Sequence, residues 1–411
     1  MNLFEELKWR GLVHNVTDES VIEKLNNGNV TFYLGTDPTG DSLHVGHLLV
    51  FILAKRLEKH GHHPILLIGG ATGFIGDPKP SAERKMLTKE QIDHNAECLY
   101  NQVKNLFNCE MVNNYDWISK IDLISFLRKY GKLFNVNYMI NKETVKSRLE
   151  TGISYTEFSY QILQALDFEH LFEEKNCMMQ IGGQDQWGNI TSGLELIRKL
   201  HGSDVWAGGY TAPLFTKSDG TKFGKSESGA VWLDPEKTTP YAFYQFWLNT
   251  PDADVVKELK QFTFLTKEEI EALEKSFNEA PHLREAQKAL AKEMTVMIHG
   301  EEAYNQAIRL SQALFSGKVQ ELTKEEIMMG FEGIPQKEIS EEIGLIDALV
   351  LTGAASSKRE ARDFINGGGV LINGVQIKDM NFVINNTNTI GEIYTIIRRG
   401  KKNYYVLKHV K

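Results

Sequence analysis

Two histidines three residues apart carry the first chemistry in this chain. In YLGTDPTGDSLHVGH (Tyr33 to His47), an apolar run ends in a Gly, Pro and Thr turn, and His44 and His47 then share one face of a helix's first turn. Gly46 between them lets another group approach the backbone, and the unpaired N–H groups of a helix start favour an anion. Asp41 or Ser42 can cap that helix. The same pair could ligate a metal, but no third ligand with suitable spacing follows, so no tightly bound protein metal is expected. Polar residues that merely begin a helix are the plainer alternative. A second constellation is Lys222 and Lys225 in KFGKS (Lys222 to Ser226). Two lysines in a Gly- and Ser-rich stretch fit a segment that closes on a polyphosphate, or a solvated basic loop. GTKFGKS is not a phosphate-binding P-loop, because that motif needs glycine where Asp219 stands and a strand-loop-helix setting.

Tyr160, Gln164 and Asp167 follow i, i+4, i+7 spacing, and at ~100° per residue they lie within an arc of about 60°. Phe158, Ile162, Leu163 and Leu166 take the opposite side. A solvated stripe more usually carries Lys and Glu, so the polar face reads as ligand-directed, with solvent as the alternative. In IGGQDQWGNI (Ile181 to Ile190), Gly183 admits a sugar and Asp185 suits paired hydroxyls, or else caps the next helix. Asp37 in the first loop is either a ligand contact or a buried cap.

These groups need a scaffold that brings distant segments together. VTFYLG (Val30 to Gly35), PILLIGG (Pro64 to Gly70) and CMMQIGG (Cys177 to Gly183) end in glycine and alternate with helical patterns, which predicts an α/β fold with a Rossmann-like parallel sheet. Ligands of such sheets sit at the strands' carboxyl ends. A chain of 411 residues exceeds one core. The expected organisation is a Rossmann-like catalytic domain over 1–230 ending in KFGKS, an α-helical domain over 231–315, a linker over 316–343 containing Gly330, Gly333 and Pro335, and a small α+β RNA-binding domain over 344–411. In the last, Asn373-Gly374 between apolar runs predicts a tight hairpin.

Composition narrows the function classes. With 42% hydrophobic and 24% charged residues the chain is ordinary globular protein, and no apolar run approaches the roughly 18 residues of a membrane span. The start MNLFEELKWRG is not a secretory signal, and Cys98, Cys109 and Cys177 form no C-x-x-C pair, which removes a disulfide framework and a cysteine zinc site. A cytoplasmic location is expected. The net charge of −8 is uneven: Gly344 to Lys411 holds ten Lys and Arg against five Asp and Glu, while the rest holds 36 against 49. Lys358, Arg359 and Arg362 fall near one helical face, and Arg398, Arg399, Lys401 and Lys402 cluster before a final strand, which suits RNA phosphates or simply solubility.

HVGH is similar to the HIGH signature of class I aminoacyl-tRNA synthetases, and KFGKS to their KMSKS signature. GGATGFIGDP (Gly69 to Pro78), TEFSYQILQALDF (Thr156 to Phe168), IGGQDQWGNI and RRGKKNYYVL resemble bacterial tyrosyl-tRNA synthetases nearly end to end. The resemblance implies activation of L-tyrosine by ATP with Mg²⁺, then transfer to tRNA(Tyr). It assigns Tyr33 and Asp167 to the substrate phenol, Asp77, Tyr160 and Gln164 to the α-ammonium, and Gln186 to the carboxylate or adenylate carbonyl. Gly35, Asp37, Gly46, Gly183 and Asp185 fall to ATP. Thr39 and His44 are assigned to the γ-phosphate, His47 to the nucleotide, and Lys222, Lys225 and Arg84 to the leaving pyrophosphate. It implies a homodimer with contacts between about Asn113 and Ser154, and tRNA contact through the C-terminal basic residues. Leu34 departs from relatives that carry a ribose-touching thiol there, and a shortened GDPKPSAER leaves open whether Lys79 meets phosphate. A non-catalytic RNA-binding scaffold would have damaged these signatures, which are intact; an enzyme for another aromatic amino acid would not need the Tyr33 and Asp167 pair.

Overall fold

The computed structural model describes residues 1–78, 86–216, 230–331, 334, 336–400 and 403–410. The chain forms two compact units, Met1–Thr238 with Trp247–Met294, and Thr239–Phe246 with Thr295–Lys411.

The first unit is built on a six-stranded sheet of β1 (Asn15–Val16), β2 (Thr31–Thr36), β3 (His63–Ile68), β4 (Glu110–Asn113), β5 (Met179–Gly183) and β6 (Gly208–Ala212). The spatial order is β1-β6-β5-β2-β3-β4, parallel throughout except for β1, which pairs antiparallel with β6. Because β2, β3 and β5 are covered on both faces, their sequences are near-continuous apolar runs rather than alternating ones. The chain builds outward from β2 to β3 and β4, then returns to β2's other side with β5 and β6. Strand order therefore reverses between β2 and β5, and a crevice opens there at the strands' carboxyl ends.

Tyr33, Ile65 and Leu67 of the sheet pack with Phe168 and Leu171 of the Tyr155–Lys175 helix and Ile197 of the Trp187–His201 helix. Each fully buried side chain of this kind contributes roughly 1.5 to 3 kcal/mol relative to exposure. The longer helix starts where Ser154 Oγ accepts the Glu157 N–H at 3.2 Å and stops at Asn176, which is left-handed at φ 52°. Its ends are thus set by local chemistry, and its inner face meets the crevice.

The second unit contains a five-stranded sheet, ordered β10-β9-β12-β13-β7, and a β11-β8 pair. The strands are β7 (Gln336–Ile339), β8 (Ile343–Gly344), β9 (Val370–Ile372), β10 (Val375–Gln376), β11 (Val383–Ile384), β12 (Tyr394–Arg399) and β13 (Asn403–His409). Asn373 and Gly374, at φ 47° and 85°, make the expected two-residue turn between β9 and β10.

The expectation of a linker over 316–343 is corrected. This segment holds the Lys324–Gly330 helix, and β7 pairs in parallel with β13. Val319, Leu322, Ile327 and Phe331 are buried with Tyr394, Ile396 and Val406. Its Lys, Glu and Gly content concealed that apolar spacing, and β7, exposed at three of its four residues, carries almost no hydrophobic pattern. The helical stretch expected over 231–315 is divided between the units, with Val255–Phe262 and Lys267–Glu279 in the first.

Candidate active site

The crevice is a cavity of about 350 Å³ lined by residues from β2, β5 and the helices that follow them. Tyr33, Gly35, Asp37, Thr39, His44, Gly46, His47, Asp77, Tyr160, Gln164, Asp167, Gly183, Asp185 and Gln186 all line it, although they span more than 150 positions of sequence. Lys79, Arg84, Lys222, Lys225, Lys401 and Lys402 lie outside the described residues.

Neither Asp41 nor Ser42 caps the Val45–Lys59 helix. His44 is the cap itself: its Nδ1 accepts the Gly46 N–H at 3.1 Å, and His47 Nδ1 accepts the His44 N–H at 3.1 Å. Two imidazoles thereby take the places of Ser and Glu in a capping box. Their rings stack at 3.9 Å between centroids. Burial holds both histidines below the ordinary value, His47 at about 3, so both are neutral near pH 7. With Nδ1 accepting, a neutral ring carries its proton on Nε2, where it can donate to an anion.

Asp37 joins β2 to the polar helix face. Tyr160 donates its phenol to Asp37 Oδ2 at 2.9 Å, and Thr72 donates to Oδ1 at 2.7 Å. Gly69 is required beside it, because a Cβ there would collide with Asp37 Oδ1.

A second chain of contacts runs through Asp77. Gln186 Nε2 donates to Asp77 Oδ2 at 2.9 Å and Asn189 Nδ2 to Oδ1 at 3.2 Å, while Gln164 Nε2 donates to Gln186 Oε1 at 3.2 Å. Burial raises Asp77 to about 6 against those two donors. Gln164 Oε1 is buried without a partner. Asp77, Tyr160 and Gln164 thus bring acceptor oxygens into one cavity, the chemistry an ammonium requires.

At the third cluster, Asp167 is 2% exposed and accepts from Asn114 Nδ2 and Trp117 Nε1, each at 2.9 Å. Burial pushes its carboxyl up to about 8 despite both bonds. Tyr33 Oη is buried in the same cavity without a partner, its phenol held above the ordinary range by burial and by Asp167. An unpaired buried hydroxyl costs about 1 to 3 kcal/mol, which a ligand hydroxyl can recover.

Sequence reasoning missed Thr72, Asn114, Trp117, Gln180 and Asn189. Gln180 had a signal: it is the single polar side chain between Cys177 and Ile181, it lines the cavity, and its Oε1 is buried without a partner. Among the described residues, no group of three or more His, Cys, Asp and Glu is arranged to hold a metal.

In the second unit, Arg359 and Arg362 are exposed on the Lys358–Asn366 helix, and Lys358 pairs with Asp347 at 2.6 Å. Arg399 is committed within the fold: it donates to the Ala354 carbonyl at 2.7 Å and lies over the Phe364 ring at 5.1 Å. Arg398 is half-buried, its Nε without a partner. Of the seven basic residues grouped from the sequence, the five described ones are therefore two exposed arginines, one paired lysine and two arginines set into the sheet.

Residues 25–316 match the family model of class I tRNA synthetases (W and Y), and residues 326–407 match the tyrosine–tRNA ligase SYY-like C-terminal domain. The C-terminally truncated mitochondrial tyrosyl-tRNA synthetase of Aspergillus nidulans is 31% identical, with a TM-score of 0.69, over 76% of this chain and 94% of that one. The corresponding enzyme of Coccidioides posadasii is 32% identical, with a TM-score of 0.67, over 75% and 91%. An Archaeoglobus fulgidus tyrosyl-tRNA synthetase complexed with L-tyrosine, at 18% identity and a TM-score of 0.56 over 75% and 100%, shares the fold. The chain belongs to the class I tRNA synthetases for tryptophan and tyrosine. As a member of that class it uses ATP. Its C-terminal match and its fungal relatives define the tyrosyl branch, and its activity is that of a tyrosine–tRNA ligase.

Proposed function

We propose that the cavity joins L-tyrosine to AMP and then passes the tyrosyl group to the terminal ribose of tRNA(Tyr), in a homodimeric enzyme of bacterial type. The observation that carries this reading is the meeting of an unpaired Tyr33 phenol, a doubly held Asp167, and the Asp77, Tyr160 and Gln164 acceptors in the cavity that also holds His44 and His47. Phenol and ammonium each find complementary groups there. The tyrosine carboxylate is already ionised at neutral pH, so catalysis consists of positioning and charge stabilisation rather than proton abstraction.

In this reading Thr39 and the Nε2–H groups of His44 and His47 meet ATP, Gly183 and Asp185 receive its ribose, and Lys222, Lys225 and Arg84 clamp pyrophosphate. A Cβ at Gly183 would stand 2.6 Å from Asp185 Oδ1, so glycine keeps that carboxylate in place. Mg²⁺ would arrive with ATP and shield its phosphates without a dedicated protein cage. Arg359 and Arg362 are the groups best placed to meet tRNA phosphates. Leu123, Ile124 and Val136, between 55% and 69% exposed, support a homodimer contact in the expected segment. Three unpaired cysteines suit the cytoplasm.

The test is exchange of labelled pyrophosphate into ATP with tyrosine, phenylalanine or tryptophan as the amino acid. Exchange dependent on tyrosine, with far less for the other two, is expected. Equal exchange with tryptophan, or none with any amino acid in folded protein, would overturn the reading.

A further inference from the structure

Residues 231–238 clasp the HVGH turn. The Val45 N–H bonds the Val231 carbonyl and the Leu233 N–H bonds the Leu43 carbonyl, both at 2.9 Å, so His44 and Trp232 form an isolated antiparallel bridge. Lys237 Nζ reaches Asp41 at 2.9 Å and stands 5.7 Å from the Trp232 ring centre. The Trp232 N–H is held by Thr238 Oγ1 at 2.9 Å, and the far edge of its ring passes over Gly40, where a Cβ would lie 3.8 Å away. The ring itself meets the His44 imidazole edge-on, with centroids 5.8 Å apart and planes at 68°. His44 is consequently fixed from three directions: the Gly46 N–H on Nδ1, His47 stacked on one face, and Trp232 at the edge.

We infer that Trp232 is a positioning residue for ATP activation, acting through His44 to aim its Nε2–H into the cavity. The Gly46 N–H on Nδ1 and the His47 stack restrain the imidazole, and the Trp232 ring packed against it limits what rotation about χ1 and χ2 is left. That restraint is in place before nucleotide arrives, and pre-set donors act without reorganisation in the transition state. This rests on the assignment of His44 to the nucleotide.

Trp232→Leu removes the aromatic edge, whereas Trp232→Phe retains one. The expected result in pyrophosphate exchange is a loss of about tenfold in kcat/KM for ATP with Leu, an unchanged KM for tyrosine, and recovery of most of the loss with Phe. In a double-mutant cycle, Trp232→Leu added to His44→Ala should cause no further loss. Thermal unfolding of each variant confirms the folded fraction. Equal losses toward ATP and tyrosine, a full further loss on the His44→Ala background, or no loss with Leu would overturn the inference. Full exchange by His44→Ala alone would instead strike at the assignment of His44, whereas loss there with none in Trp232→Leu would strike at Trp232 only.

Discussion

Asn114 donates its amide to Asp167 Oδ2 at 2.9 Å, and because Trp117 donates to the other oxygen at the same distance, the carboxylate is held rigidly beneath the cavity. Each oxygen keeps a further lone pair for a ligand hydroxyl. Asp167→Asn supplies one oxygen where two are needed and sets an NH₂ against either the Asn114 or the Trp117 donor. At about pH 9, above the carboxyl's value of about 8, the group is ionised, and there tyrosine should lose ~1.5 to 3 kcal/mol in kcat/KM, since a charge-assisted bond is roughly twice as strong as a neutral one. Phenylalanine, which never used the acceptor, should lose little. An unchanged ratio between the two amino acids in a folded variant would remove Asp167 from recognition.

The same carboxyl sets a pH dependence. Its folded-state value of about 8 lies above the ordinary 3.8, so the folded chain binds a proton that the unfolded chain has released. The stabilisation is present below the ordinary value and is lost as pH rises through about 8. Asp77, at about 6, acts with the same sign over a lower window. Above 6.5, where the His47 contribution is complete, the free protein's melting temperature should therefore fall toward about pH 9, and Asp167→Asn should flatten that fall. A thermal-unfolding series across pH, with and without the substitution, checks both slopes.

His47 has the opposite sign. Its folded-state value of about 3 lies below the ordinary 6.5, so the unfolded chain gains a proton first as the solution is acidified. Stability present above 6.5 should drain away between there and about 3. His47→Gln cannot take up that proton, so its variant should lose less stability over this window than the parent; equal acid losses would show that His47 is not the buried neutral ring described here.

How much of this was legible depended on whether a group's partners lie near it in sequence. HVGH and the Tyr160, Gln164 and Asp167 face are local patterns, and the helical period alone put three ligand-directed groups on one side. Asn114 and Trp117 sit about fifty residues from Asp167, and only the pairing of β4 beside β3 brings them under it. The His44 cap was misread because imidazole is a rare substitute for Ser or Asp. The 316–343 segment was misread because its helix and edge strand owe their place to β13 and Tyr394, some seventy residues later.

Lys225→Ala tests the second signature. If this lysine meets charge developing on pyrophosphate, the single-turnover rate of adenylate formation should fall by ~2 to 4 kcal/mol while tyrosine affinity stays nearly constant. An unchanged rate would end that assignment.

The tRNA surface is best tested without truncation, since a cut near Gly344 would strip β12 and β13 from the buried Leu310, Val319 and Phe331 cluster and from β7. Arg359 and Arg362 are exposed, whereas Arg399 bonds the Ala354 carbonyl, so neutralising the first two alters charge without disturbing the core. Arg359→Ala with Arg362→Ala should leave pyrophosphate exchange unchanged and weaken tRNA(Tyr) binding. If each arginine displaces one counterion from a phosphate, the slope of log affinity against log salt should become shallower by about 1 per residue. Arg399→Ala is the contrasting case: it removes the ring and carbonyl contacts, and its first effect should be a lower melting temperature of the C-terminal unit. Aminoacylation and filter binding across a salt series measure the first pair, and thermal unfolding the third. Normal charging with an unchanged salt slope in the double variant would take the Lys358–Asn366 helix out of the tRNA interface.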